Sequence, residues 1–329
     1  MPKVSADALN PCQPGCNALV ARLKALGANR LGIAYSGGAD STALLLAATQ
    51  SWPGSVTALH INHGMQAAAA DFERHCQNFC SERGIPLQIA NLQVRPALGE
   101  SPEDAARKAR YAAVQSLCVH DAIQNVALAH HADDQAETLL LALSRGAGLP
   151  GLAGMAERFE RGGVVFHRPV LAQSGAALRD WLAQQGIPFV TDPSNANEAL
   201  TRNKIRRQLL PALERAFPSF RQTLARSARH AAQAQVLLAQ LAADDARLTG
   251  LPPRVNALQS LTQERQANLL RYWLQQEHQC VPSAAQLGEL LKQVAACTTR
   301  GHRIFLKIAS GSVRRIDLAL QYSTQPPPV

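Results

Sequence analysis

The sequence predicts an α/β protein: a doubly wound parallel sheet, then one long bridging helix, then a small α+β domain. Three observations carry this expectation. Short apolar runs alternate with longer helical stretches, the spacing at which each helix can cross back over a parallel sheet. From Phe220 to Leu248 the chain is alanine-rich, threaded with leucine and arginine, and free of glycine and proline. Beyond Pro252-Pro253 two helical patterns precede short β-like runs.

The elements follow in order. Residues 1–18 read as an irregular lead-in, and Leu19 to Leu26 as a short helix. Leu31 to Tyr35 is a strand, Ser36-Gly37-Gly38-Ala39-Asp40-Ser41 a tight turn, and Thr42 onward a helix. Val56 to Ile61 is a second strand, Ala67 to Arg83 a helix that Gly84 ends, and Pro86 to Ala90 a third strand. Ser101-Pro102-Glu103-Asp104 combines an N-cap serine, proline at N1 and acids in the first turn, and the helix it opens runs to about His120. Val126 to Ala129 is the fourth strand and Asp133 to Arg145 the next helix. Val164 to His167 is a further strand, Gly175 to Gln185 a helix, and Phe189-Val190 an edge segment. Thr201 to Leu210 is strongly basic. The remaining pattern is helix (about 262–277), helix (284–296) and strands (303–308, 312–320). The expected domains are therefore 19–217, a bridging helix over 218–250, and 251–322, with a disordered tail over 323–329.

In such a sheet, ligands bind beyond the carboxyl ends of the strands. The segments 36–41, 62–64 and 130–134 all leave strands at that end, so they are expected to line one cleft.

Bulk properties narrow the function. At 329 residues, two domains are expected, and 47% hydrophobic with 17% charged residues fits a soluble globular protein. No run of 18 or more apolar residues is present, and the first residues lack the apolar core of a secretory leader, so no membrane association and a cytoplasmic location are expected. Seven cysteines, none in a Cys-x-x-Cys pair, read as reduced thiols. Acids and bases balance up to residue 170, so the whole +9 excess lies in the second half. That half is either a polyanion-binding region or a solvated arginine-rich surface.

The turn at 36–41 places unpaired backbone N–H groups at the positive end of a helix, where an anion is stabilised. No lysine follows the glycines, which excludes a Walker P-loop. An acid inside an anion-binding turn repels phosphate unless a cation intervenes, so Asp40 is a candidate Mg²⁺ ligand. The block His130-His131-Ala132-Asp133-Asp134-Gln135-Ala136-Glu137 suits a transition metal, a hard cation with an amine, or an acid-rich first helical turn. Gly146-Ala147-Gly148-Leu149-Pro150-Gly151 matches Gly-x-Gly-x-x-Gly but follows a helix, so a dinucleotide fold is rejected.

The form Ser-Gly-Gly-x-Asp-Ser after a strand resembles the pyrophosphate loop (PP-loop) of the ATP pyrophosphatase superfamily. Further motifs resemble the tRNA(Ile)-lysidine synthase family: Asp104 to Tyr111, His130 to Thr138, Arg145 to Leu152, Arg168-Pro169-Val170-Leu171, Asp192-Pro193-Ser194-Asn195 and Arg202-Asn203-Lys204-Ile205-Arg206. They cover roughly residues 31–215, and residues 220–329 resemble the family's small middle domain. Many members carry Asp where this chain has Asn62, which is assigned no acid role.

The resemblance implies a ligase that forms a C–N bond, joining L-lysine to C2 of the wobble cytidine in the CAU anticodon of tRNA(Ile). ATP adenylates the cytidine first, and AMP and pyrophosphate are released. It implies that Ser36, Gly37, Gly38, Ala39, Asp40 and Ser41 bind ATP, that Asp40 and Asp134 bind Mg²⁺, and that Asp133 and Glu137 hold the lysine. Arg107, Arg110 and Arg206 are expected to serve catalysis alongside Asp40 and Asp134, and Arg202, Asn203 and Arg206 to contact tRNA. A homodimer is compatible with the sequence. The alternatives are another PP-loop enzyme that modifies tRNA bases or amidates nucleotides, or a non-catalytic tRNA-binding protein. Thiolating relatives usually need paired cysteines, and a non-catalytic protein would not need Ser36, Asp40, Asp133 and Asp134 together.

Overall fold

A computed structural model of the chain describes residues 13–62, 69–92, 102–192, 201–299 and 301–324. Two compact units divide it after Arg229.

The first unit is built on a six-stranded sheet of order β3-β2-β1-β4-β6-β5. Its strands are β1 (Leu31–Ala34), β2 (Val56–Asn62), β3 (Leu87–Asn91), β4 (Asn125–Ala127), β5 (Arg158–Arg161) and β6 (Val164–His167). All pairings are parallel except the β5–β6 hairpin. β5 was not foreseen, because Arg158-Phe159-Glu160-Arg161 carries three charges on a half-exposed edge. Besides its pairing with β6, Phe159 anchors it, stacked on Phe166 with ring centroids 5.1 Å apart.

Helices α1 (Gln13–Ala25), α2 (Ala39–Ser51), α3 (Ala69–Glu82) and α7 (Gly175–Gln184) share an apolar cluster with β1. α1 thus starts inside the expected lead-in, since Cys16 already joins the core. α2 is apolar on every face and is buried accordingly, with Leu44, Leu45, Ala47 and Ala48 in the core. A separate cluster unites α4 (Pro102–His120) through Val114 and Cys118 with Leu59, Val126 and Phe166. The helical cover is therefore split over two cores, as a doubly wound sheet requires.

α5 (Ala132–Ser144) follows β4, and α6 (Leu149–Leu152) is one turn opened by Gly148, the second glycine of the rejected dinucleotide motif. The basic segment forms α8 (Thr201–Lys204), a π-turn over Ile205–Leu209, and α9 (Leu210–Ala216). Ile205 and Leu210 bury with Ala136, Leu141 and Phe220. Residues five apart lie on different faces of a regular α-helix, and the wider π-turn brings both onto α5.

α10 (Phe220–Thr249) is one helix, as expected. Its first residues belong with the first unit, because Phe220 sits in the α5 cluster. The second unit contains α11 (Val255–Gln259), α12 (Gln263–His278), α13 (Ala284–Ala296) and the antiparallel sheet β7 (Phe305–Ile308), β8 (Gly311–Ile316) and β9 (Ala319–Ser323). Leu258, Leu270, Trp273, Leu290, Ile308 and Leu320 fill its core. The 312–320 run divides into two strands at Asp317, whose φ of 52° turns the chain. The expected disordered tail lies almost wholly outside the described residues.

Candidate active site

Strand order reverses between β1 and β4, where neighbouring connections leave in opposite directions and open a crevice. The segments following these strands are the glycine turn and the His130–Asp134 block. The third expected contributor, 62–64, is described only at Asn62, whose Nδ2 donates to Glu73 at 2.7 Å.

The turn is held by its own serines. Ser41 Oγ accepts from the Ser36 amide at 3.2 Å, lies 3.0 Å from Ser36 Oγ, and donates to the Gly38 carbonyl at 3.0 Å. Gly37 has φ +82°, and a Cβ there would stand 3.0 Å from Cys76 Sγ, so only glycine fits without strain. Beneath the turn, His60 Nδ1 lies 2.9 Å from the Tyr35 carbonyl oxygen. Val190 donates to the Gly37 carbonyl at 2.9 Å, so the expected edge segment braces this turn instead of extending the sheet.

His131 joins the two loops. It is buried, with Nε2 3.4 Å from Asp40 Oδ2 and 3.6 Å from Asp134 Oδ2, and Nδ1 3.5 Å from Asp133 Oδ2. Burial alone would lower its pKa, but the bond to Asp40 and the three surrounding carboxylates outweigh that and raise it. Asp134 caps α5 by accepting from the His131 amide at 3.0 Å.

The acids are bound by two arginines. Arg206, which the π-turn carries, donates through Nε to Glu137 at 2.7 Å and through Nη2 to Asp134 at 3.1 Å. Arg221, in the first turn of α10, donates through Nε to Asp133 at 2.5 Å and bidentately to Glu214 at 2.6 and 2.7 Å. Asp133 also accepts from the Gly175 amide at 2.8 Å. Burial would raise the Asp133 pKa, and these donors together with His131 lower it instead. Glu137 is fully buried, and desolvation raises its pKa despite Arg206. Two buried carboxylate oxygens keep no hydrogen-bond partner: Asp40 Oδ1 and Glu137 Oε2. Unpaired buried acceptors of this kind call for a cation.

The expected site residues therefore divide. The structure brings Asp40, Asp133, Asp134, Glu137 and Arg206 together beside the turn. It shows Arg107 on α4 in an exposed ion pair with Asp104, 3.1 Å apart. Asn203 is buried at 7% exposure, which removes it from direct contact with an RNA. Arg202 is exposed, and its charge, after desolvation, lowers the pKa of Arg110.

A transition-metal site is not formed. Among the described residues no group of three or more His, Cys, Asp or Glu side chains could hold a metal ion. His130 instead accepts from Arg168 Nε at 2.9 Å, and burial with that guanidinium pushes its pKa down to about 4. The hard-cation alternative fits better, because Mg²⁺ is usually held by one or two carboxylates plus substrate phosphates.

From sequence, Arg168 was named only within a motif and without a role, and Glu214 and Arg221 were not singled out. One signal pointed to Arg221: a cation in the first turn of a helix opposes the dipole unless an acid pairs with it.

A glycine turn and an acid cluster meeting at the switch point define a PP-loop nucleotide-binding protein. The family model described as PP-loop domain matches residues 13–213, and one described as TilS substrate binding domain matches residues 254–317. A tRNA(Ile)-lysidine synthase from Polaromonas naphthalenivorans (strain CJ2) is 58% identical over 315 residues, 96% of each chain. One from Bordetella pertussis is 38% identical over 83% of this chain and 88% of its own length. Another, from Burkholderia pseudomallei, is 43% identical over 81% of this chain, which spans 56% of that protein. The chain belongs to the tRNA(Ile)-lysidine synthase family. The U34-tRNA thiolase NcsA from Methanococcus maripaludis shares the fold, with a TM-score of 0.56 at 16% identity over 67% of this chain and 77% of that one.

Proposed function

We infer that the protein catalyses ATP-dependent formation of lysidine on tRNA(Ile), joining L-lysine to C2 of the wobble cytidine in a CAU anticodon. One observation carries this reading: the phosphate-type turn and a buried acid cluster with spare carboxylate oxygens share one imidazole, His131. Such a site serves a reaction with a polyphosphate and a cationic nucleophile.

The reaction has two steps. The cytidine 2-carbonyl oxygen attacks the α-phosphate and pyrophosphate leaves. The lysine ε-amine then attacks C2, loses a proton, and AMP departs. The amides and hydroxyls of residues 36–41 would hold the phosphates. Asp40, with its spare oxygen, and Asp134 would hold Mg²⁺, which when bound neutralises charge on the departing pyrophosphate. Glu137 would hold the lysine ammonium through its spare oxygen. Asp133 supports this reading differently, tied to Arg221 and to the Gly175 amide: it anchors Arg221 and the start of α7. Arg206 aligns Glu137 and Asp134. The charge of Arg202 is felt at Arg110, and both would serve to bind an RNA or nucleotide phosphate. The positive charge of the second unit supports tRNA binding, and a tRNA-modifying role is consistent with the cytoplasm.

The test is incorporation of labelled lysine into tRNA(Ile) carrying a CAU anticodon, with AMP and pyrophosphate followed together. Lysine incorporated with equal AMP release is expected. ATP cleavage with no lysine transferred would overturn the reading in favour of another PP-loop activity.

A further inference from the structure

A cavity of about 410 Å³ opens beside the acid cluster, and its lining includes Asp40, His131, Asp133 and four arginines. Two of these are neutralised locally: Arg206 by Glu137 and Asp134, and Arg221 by Asp133 and Glu214. The other two, Arg179 on α7 and Arg215 on α9, make no ion pair among the described residues. The cavity therefore keeps positive charge that its own acids do not use.

Arg179 is placed with care. It lies one turn beyond Gly175, whose amide is bonded to Asp133. A Cβ at Gly175 would stand 3.0 Å from His131 Nε2 and 3.2 Å from Arg179 Nη1. The imidazole and the guanidinium thus crowd the same spot, which stays open to both only because residue 175 has no side chain. The imidazole contacts the carboxylates, and the guanidinium beside it carries an unpaired charge.

We propose that Arg179 binds the α-carboxylate of the incoming lysine and selects the amino acid over amines that lack this group. The proposal rests on the lysidine-forming reading. Only the ε-amine reacts, so its placement depends on binding energy gathered at the far end of the molecule. Lysine carries opposite charges separated by an extended chain of roughly 7 Å, from standard bond lengths. This cavity offers both signs of charge: the carboxylates of Asp40 and Asp133 in its lining, with Arg206 linking it to Glu137, and an unpaired guanidinium on α7. A planar guanidinium matches a carboxylate bidentately. The phosphates would have their own receptor in the turn at the start of α2.

The test compares L-lysine with L-lysinamide, which has the same length and ε-amine but no carboxylate. Incorporation into tRNA(Ile) is measured for the full-length wild type, Arg179→Gln and Arg179→Lys, with pyrophosphate release followed in parallel. The wild type should prefer lysine by about tenfold or more in kcat/KM, the scale of one charge-assisted bidentate contact. Arg179→Gln should raise the KM for lysine about tenfold, leave lysinamide unchanged and so abolish the preference. Arg179→Lys should recover part of it, and pyrophosphate release should stay at the wild-type rate in both. Equal loss for both amines, a raised KM for ATP or tRNA, or an intact preference in Arg179→Gln would each overturn the proposal. A wild type that releases pyrophosphate but incorporates neither amine would overturn the underlying reading instead.

Discussion

His131 Nε2 stands 3.4 Å from Asp40 Oδ2, and through this contact the phosphate-type turn and the α5 acid cluster meet. Asp40 lies in the first turn of α2 and His131 immediately precedes α5, 91 positions later in the chain. Their meeting follows from strand order, since β1 and β4 are neighbours at the switch point.

Asp40→Asn is expected to abolish adenylation and leave the fold intact. The substitution keeps the shape but removes the charge that a cation in an anion-binding turn requires. Pyrophosphate release should fall at least about 100-fold, the scale of losing one electrostatic stabiliser. Near-wild-type release at ordinary Mg²⁺ concentration, from a variant with an unchanged circular dichroism spectrum, would show the assignment to be wrong.

Glu137→Gln and Asp134→Asn should separate the chemical steps. If Glu137 holds the ammonium, its variant should still give a burst of pyrophosphate while lysine incorporation slows at least about tenfold. Asp134→Asn should lose the burst itself. Rapid-quench measurement of both products decides the matter. Loss of the burst in both variants would assign the whole cluster to the cation.

Arg221→Met should destabilise the first unit by about 2–3 kcal/mol, because Asp133 would be left largely buried without its cation. Glu214→Gln should cost well under 1 kcal/mol, since Glu214 is half exposed. Urea unfolding compares the two directly. Similar midpoints would mean that Arg221 is held mainly by its surface partner.

Acid should weaken the first unit through His167. Its Nδ1 accepts from Arg22 at 2.9 Å and its Nε2 donates to Asn125 Oδ1 at 2.9 Å. Burial, then the charges of Arg22 and Arg158, push its pKa down to about 4. The unfolded chain binds this proton near the ordinary value of about 6.5. Stability from the neutral ring is therefore complete above pH 6.5 and is lost as pH falls towards 4. His167→Gln should flatten the unfolding midpoint over that window. An unchanged slope would exclude His167 as the group responsible.

Arg303→Glu and Lys307→Glu test the basic second unit, where both side chains are exposed. Each should reduce the slope of log K for tRNA against log salt by about one, with the KM for ATP unchanged. An unchanged slope would mean that these charges are only solvated.

The sheet was legible because each parallel strand is a short apolar run beside a helix with a clear start or stop. Gly84 after α3 and Ser101-Pro102 before α4 are such marks. The glycine turn was legible for a similar reason: Gly37 and Ser41 meet requirements that are local in sequence. The arginines were not. Arg107, Arg206 and Arg221 look alike in sequence, and only tertiary packing separates a surface pair with Asp104 from the ligands of Glu137 and Asp133. Asp133 was read as a lysine ligand because its bond to Gly175 spans 42 residues and leaves no local trace. The edge strand β5 was missed because cross-strand stacking of Phe159, not alternation along its own sequence, holds it.

The π-turn at Ile205–Leu209 makes segment length a functional quantity. It holds one residue more than an ordinary turn, which is how Ile205 and Leu210, five apart, both reach α5. Straightening it into a regular helix with no residue lost would turn everything beyond it by about 100°, and Ile205 and Leu210 would point apart. Deleting one residue between them would instead leave the pair four apart on one face of an ordinary helix. Relatives should therefore carry either this length with a π-turn or one residue fewer without it, and other lengths should be rare. Counting gaps in this segment among relatives would reveal the constraint without any biochemical assay.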